Sequence, residues 1–274
     1  MNKAANYILI IVEGKSDKEA LFAITEYNNL RNSSANGKPI PIIIPTNRDM
    51  LTALDKERGY EPFLRVDCIN LIERTIRSQL EKRCKEERIK INQIAEAMYL
   101  SDMDGVFIDD KNIIQDREIT DKDEKEDDDT ATYYMEENIL TPLRWKIVNR
   151  NWRKRVNINF ILDNPVIELN TGGKKAKIPL KLFYMSCNLE HSTLNNRNYG
   201  YGKGYAAFDW ANDITRKKEP EKEIRSFFES LLPTKATYMD TWSYITEPKT
   251  NKSLERSSNW LLILDELDRM ATSV

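Results

Sequence analysis

The stretch Tyr7-Ile8-Leu9-Ile10-Ile11-Val12-Glu13-Gly14-Lys15-Ser16-Asp17 decides how this chain is read. Ile8 to Val12 is an unbroken, mostly β-branched apolar run, the pattern of a central strand buried on both faces. It stops abruptly at Glu13-Gly14. Gly14 lets the backbone turn at once, and Ser16 or Asp17 can cap the helix that follows. Glu13 then sits at the carboxyl end of a buried strand, where open α/β sheets gather their chemistry. A second stretch has the same form: Ala97-Met98-Tyr99-Leu100-Ser101-Asp102-Met103-Asp104-Gly105. A short apolar strand again runs into acids. In parallel neighbouring strands, Glu13, Asp102 and Asp104 would meet at one sheet edge.

Working outward, residues 16–30 read as a helix with Ala20, Leu21, Ile24 and Tyr27 on one face. Breakers at 31–38 mark a loop, and Pro41 to Pro45 a short strand. Thr46 or Asn47 is placed to cap a short helix ending near Gly59. Residues 66–88 form a long helix, with Ile69, Ile72, Ile76, Leu80 and Cys84 recurring at three or four. Beyond the aspartates, 116–132 reads as an inserted acidic loop. Residues 156–162 and 166–169 have strand character, as does 181–187. The last of these runs into Asn188-Leu189-Glu190-His191, a third apolar run ending in ionisable groups. Asn188 is placed to cap a helix there. Gly200, Gly202 and Gly204 precede a helix at 205–214, and the tail reads as helices at 219–231, 238–246 and 255–271. The whole is an α/β chain with four parts: a core at 1–108, an acidic loop and basic segment at 109–155, more core at 156–203, and a helical region at 204–274.

At 274 residues the chain can build a sizeable core. No apolar run reaches membrane-spanning length and no signal peptide opens the sequence, so the expectation is a cytoplasmic protein. Cys68, Cys84 and Cys187 lack the spacing of a zinc knuckle or a disulfide framework. The single histidine, His191, excludes mechanisms that need two. No Walker glycine loop is present, so no ATPase is expected in this chain. Chemistry on phosphates would therefore fall to carboxylates and a divalent metal.

The net charge of −2 hides a segregation: residues 102–137 hold 15 acids against 4 bases, leaving the rest of the chain at +9. Much of that excess lies in one acid-free segment with Arg144, Lys146, Arg150, Arg153, Lys154 and Arg155 interleaved with Trp145 and Trp152. Lys174, Lys175, Lys177 and Lys181 follow. Such a face can hold a polynucleotide backbone, with Trp152 or Trp145 stacking a base. It can equally be a solvated helix face with its tryptophans packed inward. Glu13 can likewise be only a helix cap, Asp102 and Asp104 only a turn before Gly105, and His191 a structural hydrogen bonder.

A Glu-Gly after the first strand, here Glu13-Gly14, and an Asp-x-Asp after a later one, here Asp102 and Asp104, resemble the toprim superfamily of topoisomerases, bacterial primases and nucleases. The likeness covers roughly the first 108 residues. It implies a mostly parallel sheet with helices on both faces. It also implies Mg2+ (or Mn2+) held by Glu13, Asp102 and Asp104. Apart from the resemblance, if the run ending at Cys187 joins the same sheet, Glu190 is a further candidate ligand and His191 a candidate catalytic residue that contacts a phosphate. Two carboxylates in sequence positions i and i+2 suit a hard divalent ion that keeps water and phosphate in its shell, and Glu13 can serve as ligand or general acid–base. Without a primase's zinc cysteines or a topoisomerase's extra domains, the chain looks most like stand-alone toprim nucleases of the overcoming-lysogenisation-defect and phage-defence type. Some of these work beside a separately encoded ATPase. The expected activity is metal-dependent hydrolysis of RNA or DNA. A primase-like nucleotidyl transferase and a non-catalytic binding subunit are the alternatives.

Overall fold

A computed structural model of the chain describes residues 7–33, 38–119, 131–171, 173–200, 202–233, 237–247 and 251–272. The apolar run forms β1 (Tyr7–Val12), and α1 (Lys15–Arg31) follows after a two-residue turn. β2 (Ile40–Pro45) lies parallel to β1. A small hairpin, β3 (Leu54–Asp55) with β4 (Glu61–Pro62), leads to α2 (Val66–Glu86). β5 (Ile94–Asp102) takes the other side of β1, again parallel, with Val12 opposite Leu100. A separate three-stranded sheet comes next, built from β6 (Ile113–Gln115), β7 (Tyr133–Tyr134) and β8 (Ile139–Thr141). Then come α3 (Arg144–Asp163), β9 (Val166–Thr171), β10 (Lys174–Met185), α4 (Leu189–Leu194) and α5 (Lys203–Thr215). The tail holds α6 (Pro220–Leu231), α7 (Tyr238–Thr246) and α8 (Leu261–Thr272). The main sheet runs β2-β1-β5-β10-β9, with β10 parallel to β5 and β9 antiparallel to β10. The fold is thus mixed α/β with a mostly parallel central sheet flanked by helices.

The period of two along each central strand divides the core into two layers. Leu9 and Ile11 of β1, Ala97 and Tyr99 of β5, and Leu180 and Leu182 of β10 face the layer that includes Ile72 and Ile76 of α2, Ile158 of α3 and Trp242 of α7. Ile8, Ile10, Met98, Leu100, Phe183 and Met185 face the other, with Leu21 and Ile24 of α1, Ala211 of α5, Phe228 of α6 and Leu264 of α8. Helices on both faces are what an unbroken apolar strand requires.

Four local expectations need correction. Residues 46–53 form a loop, not a capped helix; Thr46 is spent on Val12, to whose carbonyl both its N–H and its hydroxyl donate. Gly59 turns the β3–β4 hairpin at φ +71°. Residues 156–162 are helical, because the buried positions Ile147, Asn151, Lys154, Ile158 and Ile161 recur at three or four and outweigh the β-branched composition. An expected domain boundary at 155 therefore falls inside α3. Residues 255–260 are not helical: Ser258 bridges antiparallel to Met185, and the Asn259 side chain accepts the Tyr184 N–H at 2.7 Å. Most of the acidic loop, residues 120–130, lies outside the described residues. Among those described, no helix is long and apolar enough to cross a membrane.

Candidate active site

β1, β5 and β10 all end at the same edge of the sheet. Asp102 is opposite Met185, and the pairing runs on past the strands: the Met103 N–H donates to the Met185 carbonyl at 2.9 Å, and the Asp104 N–H to that of Cys187 at 2.6 Å. Asp104 and Gly105 then take φ +50° and +66°, which turns the chain out of the sheet. A Cβ on Gly105 would meet Leu254 Cδ2 at 2.6 Å and Ile139 Cδ1 at 2.9 Å, so this turn requires glycine both for its backbone and for space.

The side chains converge on one cation. The ammonium of Lys154, reaching in from α3, lies 2.9 Å from Asp49 Oδ2, 3.7 Å from Asp104 Oδ2 and 3.9 Å from Glu13 Oε1. It also donates to the Asp102 carbonyl. The Ser101 hydroxyl donates to Glu13 Oε1, and the Tyr134 hydroxyl to Asp104 Oδ1 at 3.0 Å. Arg150 donates to the Asp104 carbonyl at 3.1 Å. Asp49 is fixed by accepting the Leu51 N–H at 2.8 Å. On the other flank, Asp17 accepts the Gly14 N–H at 2.8 Å, which closes the first turn of α1. Glu190, buried on α4, lies 3.7 Å from Lys203 Nζ.

Electrostatics split the cluster into two halves. Burial works against the Lys154 charge, but Asp49, Glu13 and Asp104 hold its pKa above the ordinary lysine value. Asp104 is pushed up by burial, yet Lys154, Arg150 and the Tyr134 hydrogen bond leave it below the usual carboxylate range. Glu13 is raised by burial and then by Asp49, with Lys154 and Ser101 opposing. Asp102 is raised well above its ordinary value by burial and then by Asp17, Asp104, Glu13 and Glu190. Asp17 is pushed up to about 6 by burial and Glu190, with the Gly14 N–H and Lys203 opposing. Asp104, Asp49 and Glu13 thus share an internal counter-charge, whereas Asp102 with Asp17 and Glu190 carries excess negative charge in a buried place.

The donor set suits a hard divalent cation in kind, since every group is a carboxylate oxygen. The excess charge around Asp102 is what such an ion would neutralise. Among the described residues, however, no three carboxylate, histidine or cysteine groups are already gathered to hold one ion. Lys154 stands between Glu13 and Asp104.

The sequence-predicted residues divide accordingly. Glu13, Asp102, Asp104 and Glu190 come together. His191 does not join them: Asn188 caps α4 by accepting its N–H at 2.8 Å, and the ring is buried with Arg197 and Arg256 as its charged neighbours. Burial and these two guanidiniums push it down to about 4, so it stays neutral at physiological pH. The basic segment is not one face. Lys154 is buried in the carboxylate cluster and Arg150 is tied to Asp104 and Asn151, so these two do not form the expected polyanion surface. Arg155 pairs with Asp110 at 3.2 Å, and Arg144 donates to the Asp110 and Ile113 carbonyls. Trp145 and Trp152 remain exposed and, with Lys146, Tyr60 and the largely buried Arg153, line a cleft of about 490 Å3. Sequence reasoning missed Asp17 as a cluster member, although it stands in the stretch quoted first. It also missed Asp49 and Tyr134, which only tertiary structure brings near. Comparison of the chain with family models, curated proteins and solved structures returns no match.

Proposed function

We propose that the protein is a metal-dependent phosphodiester hydrolase acting on nucleic acid, with a toprim-like arrangement of Glu13, Asp102 and Asp104. One observation carries this reading: Glu13 from the end of β1 and Asp102 and Asp104 from the end of the parallel β5 come together with Asp17 and Glu190, an excess of negative charge around the buried Asp102. Asp102, Asp17 and Glu190 would hold Mg2+ or Mn2+, with Glu13 and Asp104 beside them. A bound divalent ion supplies phosphoryl polarisation and a water of lowered pKa. The chain's own contribution is positional. Ser101 orients Glu13, Tyr134 and Arg150 orient Asp104, and Lys154 with Arg150 favours the ionised form of Asp104 beside the reacting phosphate. Glu13, raised by burial, is suited to carry a proton to or from the attacking water or leaving oxygen.

The decisive experiment incubates purified protein with mixed RNA and DNA, with Mg2+ or Mn2+ and with chelator. The expected result is metal-dependent cleavage that vanishes in Glu13→Ala and Asp102→Ala while both variants remain folded. Incorporation of nucleotides would instead support a transferase. A specific observation favours a third reading, a binding subunit without chemistry: the Lys154 ammonium already stands among Glu13, Asp49 and Asp104, where a cation would otherwise sit. Intact polynucleotide binding with neither activity would select it.

A further inference from the structure

Beside the Asp17 and Glu190 half of the carboxylate cluster lies a second surface that the activity proposed above leaves unexplained. The first turns of α1 and α5 enclose a cleft of about 560 Å3 lined by Lys15, Glu19, Gly202, Lys203, Tyr205 and Phe208. Tyr205 is 80% exposed and Phe208 46%. Standing three apart on α5, they share one helix face. Large aromatic side chains left open beside a polar site mark a contact surface, since burying them would otherwise be favourable. Lys15 is exposed, and Lys203 is half exposed while its ammonium lies 3.7 Å from the buried Glu190. Lys203 links this cleft to the cluster: it lines the cleft, while its ammonium faces Glu190 and acts on Asp17.

We infer that this cleft binds single-stranded nucleic acid, stacking bases on Tyr205 and Phe208 and placing the adjoining phosphates on Lys15 and Lys203 at the entrance to the carboxylates. The inference rests on the proposed hydrolase reading and names its substrate form. Aromatic platforms favour unpaired bases, because a π-face is available only where the duplex stack is open. Lysines beside an acidic pocket supply the attraction for phosphate that the pocket cannot. Glu19 is the one acid on the lining, against the two lysines. The cleft lies on the helix layer of α1 and α5, so the strand would approach over the Asp17 and Glu190 half of the cluster rather than over Lys154.

The test measures binding without turnover. Fluorescence anisotropy in chelator compares labelled oligothymidylate, oligouridylate and the oligothymidylate–oligoadenylate duplex. The expected result is binding of one or both single strands in preference to the duplex. Tyr205→Ala with Phe208→Ala should weaken binding by about 10- to 100-fold, and Tyr205→Phe should restore most of it. Lys15→Ala with Lys203→Ala should flatten the log–log salt slope by about 0.7 per lost contact. Tyr205 and Phe208 are exposed, so the aromatic variants should keep the parent's thermal midpoint; Lys203 also faces the buried Glu190, so the lysine double variant is read by its salt slope at a temperature where it is folded. Failure to bind a single strand, equal preference for duplex, or an aromatic double variant that binds like the parent each overturns the inference. So does a change in oligomeric state with oligonucleotide affinity unaltered, which would make the face a self-association surface. The hydrolase reading fails separately: aromatic-dependent binding without metal-dependent cleavage leaves this inference standing and removes the other.

Discussion

The Lys154 ammonium stands 2.9 Å from Asp49 Oδ2 with its whole side chain out of water, so a residue from the most basic segment of the chain is the internal counter-ion of its acidic site. Removing one partner of a buried ion cluster leaves the others uncompensated, at a cost of about 3–5 kcal/mol. Lys154→Met should lose stability on this scale in urea unfolding at neutral pH. Because the Lys154 pKa is raised on folding, its contribution is complete below the unfolded lysine value and is lost only above the folded one. The penalty should therefore stay level from neutral to mildly alkaline pH, and shrink in acid as the orphaned carboxylates protonate. An unchanged urea midpoint would mean that Lys154 is not the counter-charge.

Asp102 makes the opposite prediction. Its pKa is raised on folding, so the native state binds a proton more tightly than the unfolded chain. Stability is then lost as pH rises from about 4 through the folded value. Asp102→Asn removes that charge, and in chelator at neutral pH it should be more stable than the parent by about 1 kcal/mol or more. Mg2+ or Mn2+ should raise the parent's thermal midpoint and raise the variant's less. A variant less stable than the parent in chelator would show that Asp102 is not under electrostatic stress.

How far the sequence could be read follows from these two residues. Asp102 was legible because a buried parallel strand ends in a fixed place, and the apolar runs before Glu13, Asp102 and Asn188 mark three such ends. Lys154 was not, because charge density along a sequence does not say which face of a helix is buried. On α3 the buried stripe through Ile147, Asn151, Lys154 and Ile158 takes the lysine inward, while Trp145 and Trp152 stay outside at 60% and 48% exposure. Asp49 belongs to a loop whose position depends on Thr46 and Asn157, the latter holding the Leu51 and Phe63 carbonyls, so no local pattern announces it.

That division changes which substitutions can test α3 as a nucleic-acid surface. Arg150 and Arg155 hold the Asp104 and Asp110 segments, so replacing them disturbs the fold. Lys146→Ala with Trp152→Ala touches only the cleft beside Tyr60. It should change the unfolding free energy by about 0.5 kcal/mol or less. If α3 also carries polynucleotide, the double variant should weaken binding with a smaller salt slope. Unaltered anisotropy titrations would confine binding to other surfaces.

Gly105 tests the turn that presents Asp104. Its φ of +66° and the crowding by Leu254 and Ile139 leave no place for a methyl group. Gly105→Ala should cost about 1–3 kcal/mol through strain and overpacking. It should also lower any metal-dependent cleavage, since Asp104 precedes it directly. Gly173, at φ +77° but with open space around it, is the control: alanine there carries the backbone strain without the clash, and should cost less.

Glu96 gives a pH signature remote from the site. It is buried on β5, with Lys181 Nζ at 3.0 Å, and Lys181 in turn reaches Glu266 at 3.0 Å. Burial pushes Glu96 up to about 7, with Lys181 opposing and Glu266 adding to the rise. Glu266 is held down at about 2 despite burial, by Arg269 and Lys181. The signs differ. Glu266 stabilises the fold above the unfolded glutamate value near 4.3, and that contribution fades only as pH falls toward about 2. Glu96 is easiest to accommodate when protonated, so its contribution declines as pH rises from about 4 through about 7. Between pH 5 and 8 the Glu96 effect should therefore outweigh that of Glu266 and add about 1–3 kcal/mol to the loss expected from the raised carboxylates of the cluster. Glu96→Gln keeps the shape and removes the titration, so its urea midpoints at the two pH values should lie closer together than the parent's. Equal pH dependence in parent and variant would mean that Lys181 holds Glu96 ionised throughout, and that the alkaline loss arises in the carboxylate cluster instead.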